Sequence, residues 1–426
     1  MGTNIVETLR ERGLLQDMTD PEFEKLVSEQ KITVYAGYDP TADSLHVGHL
    51  VSVLVLKHFQ LHGHSPIALV GGATGMVGDP SGRSAERNLL SAKELEYNVG
   101  RLRENLSRIL DFNCSNAAVL LNNHDWIGPF SFLEFLRDVG KHFRLSDMLG
   151  KDSVKRRLES EAGISFTEFS YQLLQAYDFY HLYKEHGCVA QSGGSDQWGN
   201  ITAGTDLIRK LLGKQGFGIT TPLLTNSEGQ KMGKTASGAV WLSADRLSPY
   251  EFYQYWIRVE DRDVERFLKM LTLLPLDRIA AAMAEHAVDP GKRAAQRLLA
   301  AELTTMVHGE EETRRAREAS EALFGGTLAD KSDAEVRALF NDVPSVDIPR
   351  GELEAGIAIA DLLVRTGLCA SKTLARQLLQ QNGVYLNNSN DPWPQDRRTV
   401  GLADLASESL LVVRAGKKKY CLVQVV

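Results

Sequence analysis

Short apolar runs alternate with longer helix-like stretches in the first part of the chain. Apolar residues dominate 32–38 (ITVYAGY), which predicts a short buried strand, and 66–72 (PIALVGG), which predicts a second strand. A further apolar run lies at 117–121 (AAVLL). Between them, the stretches from about 49–62 and about 86–111 have the length and pattern of helices. Strands that alternate with helices in this way predict βαβ units and a parallel sheet.

The same alternation continues further along the chain. Residues 167–187 (TEFSYQLLQAYDFYHLYKEHG) predict one long helix, with Thr167 as its N-cap and Gly187 as its stop. The run GCVAQSGG at 187–194 then predicts a strand that enters a glycine turn.

A change of composition after about Trp241 predicts further domains. Residues 248–325 are rich in Ala, Glu, Leu and Arg and predict a helical domain, whereas 341–356 contain two prolines and acidic residues, which is typical of a linker. We therefore predict an α/β domain over 1–240, a helical domain over 241–340, a linker over 341–356 and a small α+β domain over 357–426.

Net charge limits the classes of partner. The chain of 426 residues has a formal net charge of -7, so it is not a basic nucleic-acid coat, and any RNA or DNA must bind to local basic patches. From Val346 onward there are ten basic and eight acidic residues, and RAGKKKY at 414–420 concentrates the positive charge. The C-terminal part is thus mildly basic, whereas the rest of the chain is acidic.

Cysteine spacing predicts the cellular setting. The four cysteines are far apart and form no Cys-x-x-Cys pair, which predicts reduced thiols in a cytoplasmic protein rather than a disulfide scaffold or a zinc knuckle. The acidic N-terminal stretch predicts no secretory or transit segment. No run approaches the roughly 20 apolar residues of a membrane span, so we expect no membrane partner.

Two histidines stand where a helix is predicted to begin. In DPTADSLHVGHL (39–50), Asp43 or Ser44 can cap the helix, and His46 and His49 then share one side of it. Together with the free N–H groups of a helix start, both imidazoles can donate hydrogen bonds to one phosphate. Taken alone, His-x-x-His is better explained by two surface or structurally satisfied histidines, but the flanking residues favour phosphate.

A second motif, KMGKT, places Lys231 and Lys234 three residues apart in a stretch with several glycines. Lysine is a compact mobile cation, so two of them in such a loop can follow the charge of a pyrophosphate. An isolated loop of this kind is usually a solvated turn. The presence of both KMGKT and the histidine motif in one chain favours phosphate binding.

Three polar side chains share one face of the long predicted helix. Tyr171, Gln175 and Asp178 stand at positions i, i+4 and i+7, within about 60° of one another. An exposed polar stripe is the alternative. Aromatic and apolar neighbours indicate instead that this face is partly buried, where polar groups need partners such as a bound ligand.

These motifs and four longer blocks resemble one family. The segments GYDPTADSLHVGHL, GGATGMVGDPSG, GISFTEFSYQLLQAYDF and GGSDQWGN, with HVGH and KMGKT as counterparts of the two class I signatures, are similar to bacterial tyrosyl-tRNA synthetases over nearly the whole chain. The resemblance implies a Rossmann-like parallel-sheet catalytic domain, a helical domain that faces tRNA and a C-terminal alpha-L RNA-binding domain. Gly233 and Thr235 depart from the strict KMSKS pattern, which leaves their direct role open.

The resemblance also implies a role for each residue that matches the family's motifs. Tyr171, Gln175 and Asp79 would hold the α-ammonium group of tyrosine, and Asp178 and Tyr35 its phenolic hydroxyl. Gln191 and Gln197 would complete this pocket, although Gln197 is also compatible with the nucleotide. The implied catalytic residues, which serve the phosphates, are His46, His49, Thr41, Lys231 and Lys234.

ATP and RNA are assigned by the same resemblance. The implied ATP-binding residues are Gly37, Asp39, His46, Gly48, His49, Asp196, Arg83, Arg87 and Lys234. Arg83 and Arg87 fit a surface helix pair equally well. The implied RNA-binding residues are Arg365, Lys372, Arg376, Lys417, Lys418 and Lys419, for which a solvated charged helix is the alternative.

The implied reaction joins L-tyrosine to tRNA(Tyr) in two steps, through tyrosyl-adenylate formed from ATP. We expect Mg²⁺ to accompany ATP without a protein ligand cluster of its own, and a homodimer that forms through 125–143. Tryptophanyl-tRNA synthetase shares this architecture, but Tyr35, Asp178 and the C-terminal domain argue against it. A catalytically inactive RNA-binding relative is the alternative from another class, and the intact HVGH and KMGKT argue against that.

Overall fold

A computed structural model describes residues 4–81, 90–159, 163–235, 238–323, 328, 331–340, 343–389, 391–416 and 419–426. The chain forms two compact units, Met1–His308 and Gly309–Val426. The predicted boundaries at 240 and 340 differ from this division. The helices that follow 241 belong to the first unit as far as His308, and the helices after Gly309 belong to the second.

A six-stranded sheet is the centre of the first unit. Its strands are β1 (Asp17–Met18), β2 (Thr33–Tyr38), β3 (Ser65–Val70), β4 (Val119–Asn122), β5 (Cys188–Gly194) and β6 (Phe217–Thr221). Their order is β1-β6-β5-β2-β3-β4, and every pair is parallel except β1 with β6. The predicted parallel sheet is therefore confirmed, and the carboxyl ends of β2, β3, β4 and β5 meet at one edge, where ligand sites of such sheets lie.

Helices cover this sheet and continue beyond it. The helices of the first unit are α1 (Ile5–Glu11), α2 (Glu22–Glu29), α3 (Val47–Leu61), α4 (Ala92–Ser107), α5 (His124–Ile127), α6 (Phe132–Asp138), α7 (Leu145–Leu149), α8 (Asp152–Leu158), α9 (Phe166–His186), α10 (Trp198–Leu212), α11 (Pro249–Ile257), α12 (Asp261–Leu271), α13 (Leu276–Val288) and α14 (Ala294–His308). Two short strands, β7 (Lys234–Thr235) and β8 (Gly238–Ala239), pair antiparallel between α10 and α11. No helix among the described residues is both long and apolar enough to cross a bilayer.

The long helix α9 begins two residues earlier than its sequence pattern predicts. Its N-cap is Ser165, whose hydroxyl accepts a 3.3 Å hydrogen bond from the backbone N–H of Glu168, so Thr167 lies inside the helix. The predicted stop at Gly187 is confirmed, with φ of +60°. Arg157 and Glu168 form a fully buried ion pair of 2.7 Å that ties α8 to the first turn of α9.

The second unit is a small α+β body. Its elements are α15 (Glu310–Leu323), α16 (Asp333–Leu339), β9 (Ser345–Ile348), α17 (Arg350–Ala355), β10 (Ile357–Ala358), α18 (Ile359–Arg365), α19 (Lys372–Gln380), β11 (Val384–Leu386), β12 (Thr399–Val400), β13 (Leu410–Ala415) and β14 (Lys419–Val425). Four of its strands form a sheet in the order β11-β13-β14-β9. Its core includes Leu362, Leu363, Val413 and Val423.

The stretch 341–356, predicted to be a linker, is structured where the structure describes it. Strand β9 pairs in parallel with β14, so that Ser345 is opposite Leu422 and Ile348 is opposite Val425. Helix α17 follows immediately. The two prolines fit this arrangement because one precedes β9 and the other precedes the first residue of α17, where no ladder or helix hydrogen bond is lost.

Candidate active site

The first motif forms the N-terminal end of α3. The backbone N–H of Gly48 donates to Nδ1 of His46 at 3.1 Å, and the backbone N–H of His46 donates to Nδ1 of His49 at 3.1 Å. The two imidazoles thus build a capping box and satisfy donors of the helix start. The cap is His46 rather than the predicted Asp43 or Ser44, because helical geometry begins only at Val47.

The tautomer of both histidines follows from these bonds. A ring nitrogen that accepts a hydrogen bond carries no proton, so each neutral imidazole has its proton on Nε2. The ring centroids of His46 and His49 are 4.0 Å apart. Gly48 leaves room for them, because a Cβ at that position would lie 2.8 Å from Cε1 of His46. Two N–H donors at a helix N-terminus suit an anion such as phosphate.

The second motif lies against the first. We call residues 231–235 the lysine loop. The backbone N–H of Val47 donates to the oxygen of Val240 at 2.9 Å, and the N–H of Val240 donates to the oxygen of Gly233 at 2.9 Å. The histidine motif and the lysine loop are therefore joined by backbone hydrogen bonds, although they are far apart in sequence.

Asp196 connects the lysine loop to the rest of the site. It lies in the 3₁₀ turn Ser195–Gln197 that follows β5. Burial and, next, the charge of Asp79 raise the pKa of Asp196, while the nearby ammonium group of Lys231 acts in the opposite direction. The half-buried carboxylate of Asp196 and the exposed Lys231 are thus close enough to interact electrostatically.

The centre of the candidate pocket holds Tyr35 from β2 and Asp178 from α9. The exposed fractions of the two residues are only 1% and 2%. Burial, and then the charge of Asp178, raises the pKa of Tyr35. The Tyr35 hydroxyl has no hydrogen-bond partner in the described part of the chain, and neither has Oε1 of the buried Gln191 on β5. Such orphaned polar atoms are expected where a polar ligand binds.

Asp178 is held by two residues that the sequence analysis missed. Nδ2 of Asn123 donates to Oδ2 of Asp178 at 2.9 Å, and Nε1 of Trp126 donates to Oδ1 at 2.8 Å. Burial raises the pKa of Asp178 to about 7 despite these two bonds, which lower it. Asn123 directly follows β4, so its place at the carboxyl edge of the sheet was the available signal.

A second hydrogen-bonded group contains three predicted residues, Asp79, Gln175 and Gln197. Nε2 of Gln197 donates to Oδ2 of Asp79 at 2.7 Å. Nδ2 of Asn200, on α10, donates to Oε1 of Gln175 at 3.0 Å and to Oε1 of Gln197 at 3.2 Å. These acceptor-rich side chains suit an ammonium group. Asn200 ends the segment GGSDQWGN, and its position in the sequence alone predicts no role for it.

Tyr171 and Asp39 belong to the hydrogen-bonded group of Asp178. The Tyr171 hydroxyl donates to Oδ2 of Asp39 at 2.9 Å, and the hydroxyl of Thr74 donates to Oδ1 at 2.7 Å. Thr74 also accepts from Nδ2 of Asn123 at 3.0 Å, which in turn holds Asp178. Three predicted residues, Tyr171, Asp39 and Asp178, therefore belong to one hydrogen-bonded network.

Several predicted site residues are exposed at the surface or lie outside the residues that the structure describes. Gly37 and Thr41 are exposed, and a Cβ on Gly37 would meet no atom within 4 Å, so the space beside β2 is open. Arg83 and Arg87 lie outside the described residues, and so does the side chain of Lys234. No cluster of three or more His, Cys, Asp or Glu side chains suited to a metal occurs among the described residues.

The predicted RNA-binding residues are found in the second unit. Arg365 ends α18 and pairs with Glu352, while Lys372 begins α19 and lies 2.8 Å from Asp361. Arg376 on α19 and Lys419 at the start of β14 are exposed. Lys417 and Lys418 lie outside the described residues.

Matches to known families agree with this arrangement. Residues 27–325 match the family described as tRNA synthetases class I (W and Y), and residues 335–423 match the Tyrosine--tRNA ligase SYY-like C-terminal domain. The fold is shared with a tryptophanyl-tRNA synthetase from Encephalitozoon cuniculi, at 13% identity and a TM-score of 0.51 over 78% of this chain and 90% of that one. The chain belongs to the class I tRNA synthetases of the W and Y family.

Full-length relatives narrow the family further. A tyrosine--tRNA ligase from Rhodopirellula baltica is 53% identical, over 99% of this chain and 96% of that protein. One from Geobacillus stearothermophilus is 48% identical, over 99% of both chains. A C-terminally truncated mitochondrial tyrosyl-tRNA synthetase from Aspergillus nidulans has a TM-score of 0.69 at 36% identity, over 76% of this chain and 95% of that one. Within the W and Y family, these relatives are tyrosine--tRNA ligases.

Proposed function

We propose that this chain is a tyrosine--tRNA ligase, which activates L-tyrosine with ATP and transfers it to tRNA(Tyr). The observation that carries the choice of tyrosine is the pair Tyr35 and Asp178. The ionised carboxylate of Asp178 accepts a hydrogen bond from the substrate's phenolic hydroxyl, and the orphaned Tyr35 hydroxyl bonds to the same oxygen. Phenylalanine would leave both groups unpaired in a dry pocket, which costs free energy.

The first step needs no protein nucleophile. The carboxylate of tyrosine attacks the α-phosphorus of ATP, an oxygen–phosphorus bond forms, and the bond to the β-phosphate oxygen breaks to release pyrophosphate. His46 and His49 donate from Nε2 to the phosphates, while Lys231, Lys234 and Thr41 add charge and hydrogen bonds as negative charge shifts. The rate then rests on positioning and electrostatic stabilisation.

The ATP and ammonium sites of the proposal use the residues around this centre. Asp79, Gln175, Gln197 and Tyr171 hold the α-ammonium group, and Gln191 completes the pocket. The nucleotide is held by Gly37, Asp39, Gly48, Asp196, Arg83 and Arg87. Mg²⁺ arrives with ATP, where it would neutralise phosphate charge.

The second step joins the activated amino acid to RNA. The 2′-hydroxyl of the terminal adenosine attacks the tyrosyl carbonyl carbon, and AMP leaves with the electrons of the broken bond. We infer that the helical segment α11–α14 faces the tRNA and that Arg365, Lys372, Arg376 and 417–419 bind its phosphates. Clustered cations of this kind supply most of the affinity for a nucleic-acid backbone.

Homodimer formation is a further part of the proposal. Large apolar side chains are exposed within 132–166, among them Phe132 at 64%, Leu133 at 75% and Phe166 at 68%. Large apolar side chains that are exposed within one segment are expected where another subunit covers them. Leu133→Asp should therefore shift the protein from dimer to monomer in sedimentation, whereas Val288→Asp, at an 85% exposed site on α13, should not. A wild-type protein that sediments as a monomer would contradict this part.

A cytoplasmic location completes the proposal. The four cysteines are free thiols in the structure, which is expected in a reducing compartment.

One experiment tests the activity and its two rivals. Pyrophosphate exchange into ATP should require tyrosine among the twenty amino acids, and aminoacylation of total tRNA should follow with tyrosine alone. Exchange that depends on tryptophan would indicate the other member of the family, and no exchange with any amino acid would indicate an RNA-binding protein. His49→Ala should lose most of the exchange, while His62→Ala, at the C-cap of the same helix and bonded to Thr8, should retain it.

A further inference from the structure

The lysine loop has a hydrogen-bond contact outside the two signature motifs. The backbone N–H of Gly233 donates to the hydroxyl oxygen of Tyr255 at 3.2 Å, and that hydroxyl donates to Sδ of Met232 at 3.6 Å. Tyr255 lies on α11 and is half-buried, with its ring 5.0 Å from that of Trp256 in an edge-on contact. A rigid helix thus presents one hydroxyl group to two successive residues of the loop.

The residues before the loop are attached to the next helix, α12. The backbone N–H and the hydroxyl of Ser227 both bond to Oδ2 of Asp263, at 3.2 Å and 3.1 Å. Arg262 pairs with Glu228 at 2.8 Å. The turn that leads into the lysine loop therefore has fixed contacts that do not involve Tyr255.

The residues after the loop are attached to the histidine motif. A β-bridge joins His46 to Trp241, and the backbone N–H of Leu242 donates to the oxygen of Leu45 at 2.8 Å. Arg246 stacks over the Trp241 ring, with 5.2 Å between its Cζ and the ring centroid. Both ends of the loop are thus held, and the Tyr255 hydroxyl contacts the centre of the loop.

Gly233 allows the central contact to form. Its φ is +93°, and a Cβ there would lie 3.0 Å from Cγ2 of Val47 and 3.4 Å from the backbone nitrogen of Gly48. A side chain at this position would move the loop away from α3 and from Tyr255 together. Because Gly233 has no side chain, the loop backbone lies close to both α3 and the Tyr255 hydroxyl.

We propose that the Tyr255 hydroxyl is a positioning group that docks the lysine loop against the histidine motif, so that Lys231 and Lys234 meet the phosphates of ATP. This inference rests on the proposed function for its kinetic consequence. Tyr255 itself touches no substrate in this scheme and acts through the loop. Its hydroxyl selects the docked loop from the positions that a glycine-containing segment can reach.

Tyr255→Phe removes the hydroxyl and keeps the ring. Loss of one hydrogen bond should lower kcat/KM for ATP in pyrophosphate exchange by about fivefold. KM for tyrosine should stay unchanged, since Tyr35 and Asp178 lie on β2 and α9. Tyr183→Phe, which removes a half-buried hydroxyl from the far end of α9, serves as the matched control and should match wild type in both constants.

A second measurement reports loop docking without catalysis. Trypsin cuts after Lys231 and Lys234, so the rate at which fragments ending at these residues appear measures how often the loop leaves its position. At the same temperature, trypsin should cut the Tyr255→Phe variant several-fold faster than it cuts either the wild type or Tyr183→Phe. The midpoint of unfolding of Tyr255→Phe should be unchanged.

The kinetic measurement and the tryptic digestion together distinguish a failure of the docking proposal from a failure of the proposed function. Wild-type rates of tryptic cutting in Tyr255→Phe would overturn the docking, and so would an unchanged kcat/KM for ATP or an equal loss for tyrosine. A wild-type protein without tyrosine-dependent exchange would overturn the proposed function, while the tryptic comparison would still decide whether the hydroxyl docks the loop.

Discussion

The indole Nε1 of Trp126 donates a 2.8 Å hydrogen bond to Oδ1 of Asp178, and Asn123 donates to the other carboxylate oxygen. Both donors favour the ionised form of Asp178. Burial and the charge of Asp39 work against them, so that the pKa of Asp178 is raised to about 7. The carboxylate that is proposed to bind the substrate's phenol therefore titrates near neutral pH.

A pH dependence of tyrosine binding follows. Since the phenol donates to ionised Asp178, KM for tyrosine should fall by about tenfold between pH 6 and pH 8, as the ionised fraction rises through a pKa near 7. Asp178→Asn should bind tyrosine more weakly and without this dependence. Steady-state kinetics over the range provide the measurement, and a flat wild-type profile would contradict the assignment.

The carboxyl group of Asp178 should also make the free energy of unfolding depend on pH. Stability should fall as pH rises, whereas tyrosine binding should improve. The folded-state pKa of this group lies above the ordinary value of 3.8, so the empty protein binds this proton more tightly than the unfolded chain does. The resulting stabilisation is fully present below about pH 4 and is lost as pH rises through about 7. Urea unfolding of wild type and Asp178→Asn should show this difference in pH dependence. Parallel pH curves for the two proteins would count against it.

Amino-acid discrimination should depend on the Tyr35 hydroxyl. Tyr35→Phe leaves the phenolic oxygen of the substrate with one hydrogen bond instead of two, so the ratio of kcat/KM for tyrosine to that for phenylalanine should fall by about tenfold. Tyr38→Phe is a matched control on the same strand, because the Tyr38 hydroxyl lies 3.3 Å from that of Ser52. The assignment is wrong if Asp178→Ala keeps full discrimination.

A side chain at Gly233 should disturb the loop directly. Gly233→Ala places a Cβ near Val47 at a φ of +93°, a conformation that costs L-residues about 1–2 kcal/mol. The variant should lose pyrophosphate exchange while tyrosine binding, measured by equilibrium dialysis, stays normal. Gly229→Ala, also at positive φ but with nothing within 4 Å, controls for strain alone. Equal losses in both variants would attribute the effect to backbone conformation.

The buried ion pair between α8 and α9 should be important for stability. Glu168→Gln leaves the guanidinium of Arg157 buried without its charge partner, which should lower the free energy of unfolding of the first unit by about 3–5 kcal/mol. Glu265→Gln, which breaks an exposed pair with Lys269, should change it by less than about 1 kcal/mol. Urea denaturation would measure both, and similar small losses would show that Arg157 finds another acceptor.

Sequence patterns predicted the sheet because apolar strand runs are a local signal, whereas most of the candidate site residues were named only through the family resemblance. The runs at 32–38 and 66–72 are continuous and apolar, as expected for strands covered on both faces, whereas β4 lies at the edge of the sheet and is only partly buried. The start of α9 was missed by two residues, although Ser165 and Glu168 have the spacing of an N-terminal cap.

Long-range contacts account for what the sequence did not predict. Asn123 and Trp126 become part of the pocket only because β4 ends beside β3, which places them next to Asp178. The Tyr255 hydroxyl meets the lysine loop through the packing of α11, and its helix pattern gives no sign of this. Strand β9 was assigned to a linker because four residues without their partner strand have no distinctive signal.

The place of β14 in its sheet has a consequence for biogenesis. This strand, Lys419–Val425, lies between β13 and β9, so β9 has no neighbour until β14 is available. A ribosome makes β9 some seventy residues earlier, and at about 5–20 residues per second the segment 345–348 waits for seconds with its edge unpaired. The nascent second unit is then a natural client for chaperones, while the first unit, already synthesised, can fold in the meantime.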